Sequence, residues 1–197
     1  NIRTLIERGC IFVAPSSGEL ASGLCGEGRM EEPHKIYEKI KAFFQTKQNF
    51  KGKKVLITAG PTYEAIDPVR FIGNHSSGLM GIEIARAFAD QGADVTLVLG
   101  PSNISVNKNN VNVLPVTSAK EMYDAVMALF PKTDIAVLSA AVADFRPEMV
   151  ADQKIKKNPD NDTFTIKLVK TDDILKSIGN IRTDNQTVVG FALETEN

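Results

Sequence analysis

"KVLITAGPTYEAIDPVRFIGNHSSGLMGIEIARAFADQG", residues 54 to 92, decides how the rest of the chain is read. It opens with an apolar run, 54–58, of the kind that forms a strand buried on both faces, and closes with apolar residues at helical spacing over 78–91. Between them lies a connection much longer than the about two to six residues usual in an α/β unit. Loops of that length carry function or stay unstructured, and the glycines and small polar residues of "GNHSSGLMG", 73–81, read as an ordered one.

Outward from this stretch the alternation continues. Helices are expected at 2–8, 34–44, 78–91, 119–130 and 172–178, and strands at 10–13, 54–58, 94–99, 111–114, 134–140 and 187–192. From Lys54 on, fully apolar runs alternate with helices, which predicts an α/β domain with a Rossmann-like, doubly wound, mostly parallel sheet. One segment differs: over 163–170, Phe164, Ile166 and Leu168 alternate with Thr165, Lys167 and Lys170, the pattern of a half-exposed edge or arm strand. Residues 147–162 before it are polar, basic at the centre and turn-rich at the end, a surface loop. The segment 15–33 reads as a glycine-containing loop between a strand and a helix, and 45–53 as a polar linker. The expected division is therefore 1–44, a linker at 45–53, and an α/β domain at 54–197.

Composition narrows the function. Among 197 residues, 43% are hydrophobic and the formal net charge is -1, so no overall basic field draws the chain to nucleic acid or to anionic lipid. Any anion site has to be local. Two cysteines make no disulfide framework, and no apolar run reaches the roughly 20 residues of a membrane span. A cytoplasmic location is expected. The chain starts without Met inside an apparent helix and stops just past a strand, and is expected to be a fragment.

The helix that follows the long loop offers unpaired N–H groups and a partial positive charge, suited to phosphate. Gly73, Gly78 and Gly81 permit close backbone approach, and Asn74, Ser76 and Ser77 add neutral donors. The plainer alternative is that Ser77 caps the helix and the glycines serve the turn. Two phosphate-binding motifs fail. A P-loop needs Lys-Ser/Thr after its last glycine, where this chain has Leu79-Met80. A dinucleotide fold needs an acidic residue at the end of the second strand, where this chain has "LVLGPSN", 97–103. Phosphate binding survives, and a nicotinamide- or flavin-dependent oxidoreductase is the disfavoured rival. A non-catalytic assembly piece is a second rival.

Four ordered motifs, "ITAGPTYEAIDPVRFIGNHSSGLMG" (57–81), "SAAVADFRP" (139–147), "KIKK" (154–157) and "GFALET" (190–195), resemble one family. It is the ligase half of the bacterial bifunctional phosphopantothenoylcysteine decarboxylase/phosphopantothenate–cysteine ligases of coenzyme A biosynthesis. The resemblance runs from Lys54 to the last residue, and residues 9–44 are similar to the end of the preceding decarboxylase (flavoprotein) half. It implies CTP-dependent ligation of 4'-phosphopantothenate with cysteine through an acyl cytidylate, with Mg2+. It also implies a homodimer through the ligase domain, a larger homo-oligomer when the flavin domain is present, and FMN only in the full-length protein.

Carried over residue by residue, the resemblance gives Asn74 the acyl group and Lys154 a part in acyl-cytidylate formation. Arg70 falls at the substrate-binding arginine, and its spacing from Asp67 equally allows an ion pair. Gly73, Ser76, Ser77, Gly78, Ala140, Ala141, Lys156 and Lys157 fall at the nucleotide, Asp144 at Mg2+ or the ribose, and Phe191 beside the base. Read alone, Asn74 suits a positive φ in a turn, the lysines a solvated cluster, and Phe191 a core position. His75 is given no catalysis, and Met30 and Met80 are read as packing residues. In the N-terminal segment Ser22 stands where many relatives carry a reactive cysteine, with Cys25 three residues on, so a cysteine-dependent role there is in doubt.

Overall fold

A computed structural model of the chain describes residues 1–19, 25–44, 48–106, 111–157 and 163–193. The chain divides into two units, Asn1–Lys47 and Gln48–Asn197. In the first, helix α1 (Ile2–Glu7) is followed by strands β1 (Ser16–Glu19) and β2 (Cys25–Arg29) and helix α2 (Pro33–Phe44). Two expectations need correction here. Residues 10–13 are not a strand: Gly9, at φ 87, ends the helical turn, and Cys10 N–H donates back to Leu5 O at 3.0 Å. An apolar run becomes a strand only with a partner to pair with, and Ile11 and Phe12 lie exposed without one among the described residues. The segment 15–33, read as a loop, instead holds β1 and β2 as an antiparallel hairpin, with a register shift between Ser16 and Ser17.

The second unit is built on β3 (Lys54–Ala59), whose strand leads into a short hairpin, β4 (Tyr63–Ala65) and β5 (Phe71–Gly73), and then α3 (Leu79–Asp90). There follow β6 (Asp94–Leu99), β7 (Val111–Pro115), α4 (Ala119–Leu129) with a 3-10 turn (Phe130–Lys132), and β8 (Ile135–Leu138). The chain then runs through β9 (Phe145–Pro147), β10 (Leu168–Lys170), α5 (Ile174–Ile181) and β11 (Thr187–Gly190). Five strands form one sheet in the order β11-β8-β3-β6-β7, and every pair in it is parallel. The chain builds outward from β3 through β6 and β7, then returns to add β8 on the other side. That reversal makes a topological switch point beyond the carboxyl ends of β3 and β8, the place at which open α/β sheets bind ligands in a crevice.

Side-chain alternation along β3 explains why its run is apolar throughout. Val55, Ile57 and Ala59 pack with Ile82, Ala85 and Ala89 of α3, while Leu56 packs with Met122, Val126 and Phe130 and with Ile174 and Ile178 of α5. The helix ends are capped locally. Ser118 and Glu121 make a reciprocal capping box at α4, and the Asp173 carboxylate accepts from Lys176 N–H at 2.8 Å at α5.

Only 168–170 of the expected strand 163–170 is a strand, and it pairs antiparallel with 145–147 as a two-stranded arm outside the main sheet. Alternation records which side chains share a face, whereas the paired register with 145–147 runs over Leu168 to Lys170. The β4–β5 hairpin was not expected at all, because its strands are three residues each and carry Glu64 and Gly73. Met30 and Met80 are exposed rather than packed.

Phe130 is fully buried, and its carbonyl accepts from the buried Gln186 Nε2 at 2.9 Å. Phe130→Ala is expected to lower unfolding free energy by about 3–5 kcal/mol through lost burial and a residual cavity. Urea denaturation that moved by less than about 1 kcal/mol would show that this face of the sheet repacks.

Candidate functional site

Pairing does not stop where the sheet does. Beyond β3 and β8, Ala141 N–H donates to Gly60 O at 2.9 Å and Thr62 N–H to Ala141 O at 3.3 Å, so Pro61 and Ala141 make an isolated parallel bridge. Side chains reinforce it: Thr58 Oγ1 accepts from Ala140 N–H at 3.3 Å, Ser139 Oγ donates to Thr58 O at 2.7 Å, and Thr62 Oγ1 accepts from Ala143 N–H at 3.0 Å. Ala140 and Ala141 are thereby fixed at the mouth of the crevice.

Three glycines let the loops converge there. Gly60 and Gly78 have φ of 80, a backbone that favours glycine. A Cβ on Gly78 would stand 3.1 Å from Gly60 N, one on Gly60 3.1 Å from Gly100 O, and one on Gly100 1.8 Å from Pro61 O. Gly78 is the N-cap of α3, so Ser77 is not; its Oγ accepts from Leu79 N–H and Ser76 Oγ from Gly78 N–H, each at 3.3 Å. Ser102 Oγ donates to Ser77 O at 2.7 Å and ties down the same turn from the end of β6. Gly73 is needed for a different reason, since a Cβ there would meet Thr62 O and the Tyr63 ring at 2.8 Å.

Asn74 closes the crevice from above. Its Nδ2 donates to Ala141 O at 3.3 Å and Val142 O at 3.0 Å, which sets the loop before α3 against the loop after β8. It does not have the positive φ that a turn role would use, since among the described residues only glycines do. The hairpin beneath is anchored by the buried Glu64, whose carboxylate accepts from Ala119 N–H at 2.8 Å at the start of α4. Tyr63 and Phe71 stack across it with ring centroids 3.9 Å apart.

Asp67 and Arg70 form the hairpin tip. Asp67 Oδ1 accepts from Val69 N–H and Arg70 N–H, both at 2.9 Å; Oδ2 accepts from Arg70 Nε at 2.9 Å, from Arg70 Nη2, and from Ile155 N–H at 3.1 Å. The Arg70 guanidinium above all, helped by those backbone N–H groups, holds this carboxyl well below the usual range despite the opposing effect of burial. Arg70 Nη2 also donates to Ile155 O at 2.9 Å. The ion pair allowed by the sequence is therefore present, and it leaves Nη1 without a partner among the described residues. Lys154 and Lys156 flank Ile155; both are exposed, as is Lys157, and none has a carboxylate partner among the described residues.

The structure thus joins Asn74 to Ala141 and ties Arg70 to the lysine segment. It makes no such link to Asp144, which is exposed and accepts from Thr171 N–H through its carbonyl at 2.9 Å, or to the exposed Phe191 side chain just beyond β11. His75 is exposed. Ser22 lies outside the described residues, as does the Cys25 side chain. Among the described residues no three His, Cys, Asp or Glu side chains cluster as a metal centre, and no helix is long and apolar enough to cross a membrane. A groove of about 740 Å³ lies at the far ends of β6 and β7, lined by Gln48, Asp90 and Asp94 among others. Residues missed in the sequence are Thr58, Thr62, Asp67, Gly60 and Gly100. The glycine-proline pairs 60–61 and 100–101, each at a strand end, were the available signal.

Sequence comparison matches residues 50–197 to the family described as DNA/pantothenate metabolism flavoprotein C-terminal domain. The chain is 50% identical over 197 residues to a protein of Haemophilus influenzae named coenzyme A biosynthesis bifunctional protein CoaBC, covering 100% of this chain and 48% of that protein. It is 48% identical over 200 residues to a cysteine/cysteine sulfinic acid decarboxylase of an unknown prokaryotic organism, covering 100% of this chain and 55% of that protein. The chain spans about half the length of the curated relatives it matches. A crystal structure of the C-terminal domain of a CoaBC protein superposes with a TM-score of 0.65 at 41% identity, covering 77% of this chain and 69% of the other.

Gly81 tests how tightly the crevice is built. A Cβ there would stand 2.5 Å from Ala59 Cβ and 2.6 Å from Ser139 Oγ. Alanine gains about 1 kcal/mol of helix propensity, but overpacking against β3 costs about 1–3 kcal/mol. Gly81→Ala should therefore be destabilising on balance by thermal or urea unfolding; a more stable variant would show that α3 is free to move off the sheet.

Proposed function

We propose, since the chain belongs to the DNA/pantothenate metabolism flavoprotein C-terminal domain family, that it supplies the phosphopantothenate–cysteine ligase of a longer coenzyme A biosynthesis protein. The observation that supports this most is the Asn74 amide held on the Ala141 and Val142 carbonyls at the switch point. It puts an amide donor at the crevice where a phosphate-bearing ligand would enter.

In the first half-reaction a carboxylate oxygen of 4'-phosphopantothenate attacks the α-phosphorus of CTP, and the bond to the bridging oxygen breaks to release pyrophosphate. In the second, the amine of cysteine attacks the acyl carbon and loses a proton, and CMP leaves with the bonding electron pair. An anion approaching a triphosphate is repelled, so the site has to supply positive charge and fixed donors. Lys154, Lys156 and Lys157 offset the triphosphate, with Lys154 nearest the reacting phosphate. Gly73, Ser76, Ser77 and Gly78 supply donors at the start of α3, and Ala140 and Ala141 let the nucleotide lie against backbone. Arg70 keeps Nη1 for the substrate's phosphate while its other donors hold Asp67 and Ile155. Asn74 lies at the acyl group as cysteine attacks, releasing an Nδ2 donor from the Ala141 or Val142 carbonyl to the acyl oxygen, and Phe191 lies beside the cytosine.

A single carboxylate, Asp144, fits Mg2+, which ordinarily takes about one or two protein carboxylates and completes its shell with phosphates and water. When bound it offsets phosphate charge. The preference for CTP rests on the family resemblance. FMN and decarboxylation belong to the remainder of the longer chain, of which residues 1–44 are the tail and 45–53 the linker, and the relatives' names favour that pairing. The oxidoreductase reading loses support because β6 ends at Leu99-Gly100 with no carboxylate to hold a ribose.

The assay is pyrophosphate release from phosphopantothenate, cysteine and each of the four nucleotides, in the full-length protein; no release with any of them sinks the reading. Lys154→Gln should slow acyl-cytidylate formation by about 2 to 4 kcal/mol in the barrier, roughly 30- to 1000-fold. Asn74→Asp should instead retain pyrophosphate release and slow amide formation. Single-turnover kinetics in which both variants match the wild type would return these residues to a surface role.

The proposed assembly is a cytoplasmic homodimer through the ligase domain, and a larger homo-oligomer with the flavin domain. Phe145, Met149, Val150, Phe164 and Leu168 crowd exposed apolar surface onto the β9–β10 arm and its neighbouring loop. Light scattering of the full-length protein should show dimers or multiples of them, weakened by Phe164→Glu. A wild-type monomer ends the proposal.

A further inference from the structure

We infer that Asp67 is a positioning residue: one carboxylate holds both the Arg70 fork and the Ile155 backbone, so that Lys154 and Lys156 reach a polyphosphate from a fixed point. The identity of that polyphosphate rests on the ligase reading above; the anchoring does not.

The two carboxylate oxygens do separate work. Oδ1 serves the hairpin tip alone, through Val69 N–H and Arg70 N–H, beside the turn bond from Ile66 N–H to Arg70 O at 2.8 Å. Oδ2 looks outward, to Arg70 Nε, Arg70 Nη2 and Ile155 N–H. Arg70 Nη2 then returns to Ile155 O at 2.9 Å, so both backbone groups of one residue in a surface loop are gripped by a single ion pair. The Asp67 side chain has no exposed surface, whereas Arg70 keeps 43% of its own.

The Ile155 side chain is half-buried. It lines a cavity of about 360 Å³ with Ile66, Val150, Phe164 and Ile166. Ala151 N–H donates to Ile66 O at 3.0 Å, so the segment is stitched to the hairpin at two places four residues apart in sequence. Lys154 and Lys156, on either side of the gripped residue, are exposed. Long cations on a free loop would lose conformational entropy on binding an anion. Here part of the backbone cost is met beforehand by the fold.

Asparagine at position 67 separates anchoring from mere hairpin folding. Its amide oxygen can still accept at Oδ1, which keeps the tip, while the amide NH2 in place of Oδ2 faces donors with donors. The sign of the effect is decisive. If charge alone mattered, removing a carboxylate near three lysines would tighten polyphosphate binding; if Asp67 positions the segment, Asp67→Asn must weaken it. Ile155→Pro is the companion variant: it removes the N–H that donates to Oδ2 and changes no charge, and Ile155→Ala serves as the control for the lost side chain.

The test uses the full-length protein with inorganic tripolyphosphate as probe, its affinity read by calorimetry, alongside trypsin cleavage after Lys156 and Lys157, the two sites that both variants retain. Both variants are expected to bind tripolyphosphate about 10-fold more weakly and to be cut at this segment about 10-fold faster, with far-ultraviolet circular dichroism unchanged. Equal or tighter binding in Asp67→Asn overturns the inference, as does faster cleavage in both variants without loss of affinity. Ile155→Pro keeps the question open to refutation should Asp67→Asn fail to fold. Pyrophosphate release from CTP is followed in parallel: its absence in the wild type, with the affinity difference intact, would refute the ligase reading and leave the anchoring standing.

Discussion

Everything at the crevice depends on the parallel pairing that outlasts the sheet between the chains leaving β3 and β8. Strands normally diverge once their hydrogen-bond ladder ends, since each feeds a helix on one face or the other. Here Gly60 O, Ala141 N–H, Ala141 O and Thr62 N–H prolong the ladder, and Thr58 and Thr62 hydroxyls cover the backbone groups that the prolongation would leave bare. The cost of omitting one such partner is about 1–3 kcal/mol, comparable to a sizeable part of a domain's net stability. The loops are therefore as determined as the strands that precede them.

That arrangement explains why the polar residues after β3 are buried rather than solvated. Thr58, Thr62, Glu64 and Asp67 all fall below a twentieth of their full exposure, and each has partners that belong to a different element: β8's loop, the start of α4, or the lysine segment. A connection that merely bridged a strand and a helix would face water. This one is a polar core in miniature, and its glycines at 60, 73, 78 and 100 are the positions where a side chain would collide with backbone.

The parallel sheet and its helices were legible because burial on both faces leaves an uninterrupted apolar run, as in 54–58 and 94–99, and because helical spacing persists over 78–91 and 119–130. What escaped was set by contacts far apart in the chain. The β4–β5 hairpin is too short to show a period, and Glu64 in a strand makes sense only once Ala119 stands over it. Residues 10–13 have strand composition but no strand partner among the described residues, whereas 16–19 and 25–29 have poor composition and a partner in each other. At the crevice the same rule holds: Asn74 and the lysines could be nominated from residue type and resemblance, but Asp67 entered only as Arg70's rival claimant. Its hold on Ile155, 88 positions away, has no signature in either segment.

Charge sharpens the consequence. With a formal net charge of -1 the chain exerts no long-range pull on a polyanion, and screening confines any attraction to about 8 Å at physiological salt. Several other cations of the second unit are already engaged: Lys53 with Asp134, Arg86 with Glu83, Lys120 with Asp124 and Lys167 with Glu148. Lys154, Lys156 and Lys157 have no carboxylate partner among the described residues, and under the proposed reading their capture of an anion is a matter of where they stand rather than of how much charge surrounds them. Three exposed lysines on a slack loop would be indistinguishable from a solvated cluster. On a backbone gripped at Ile155 the same three would make a directional site under the proposed reading, and Asp67, whose oxygens are taken up by Arg70, Val69 and Ile155, would serve there as an anchor instead of a competitor.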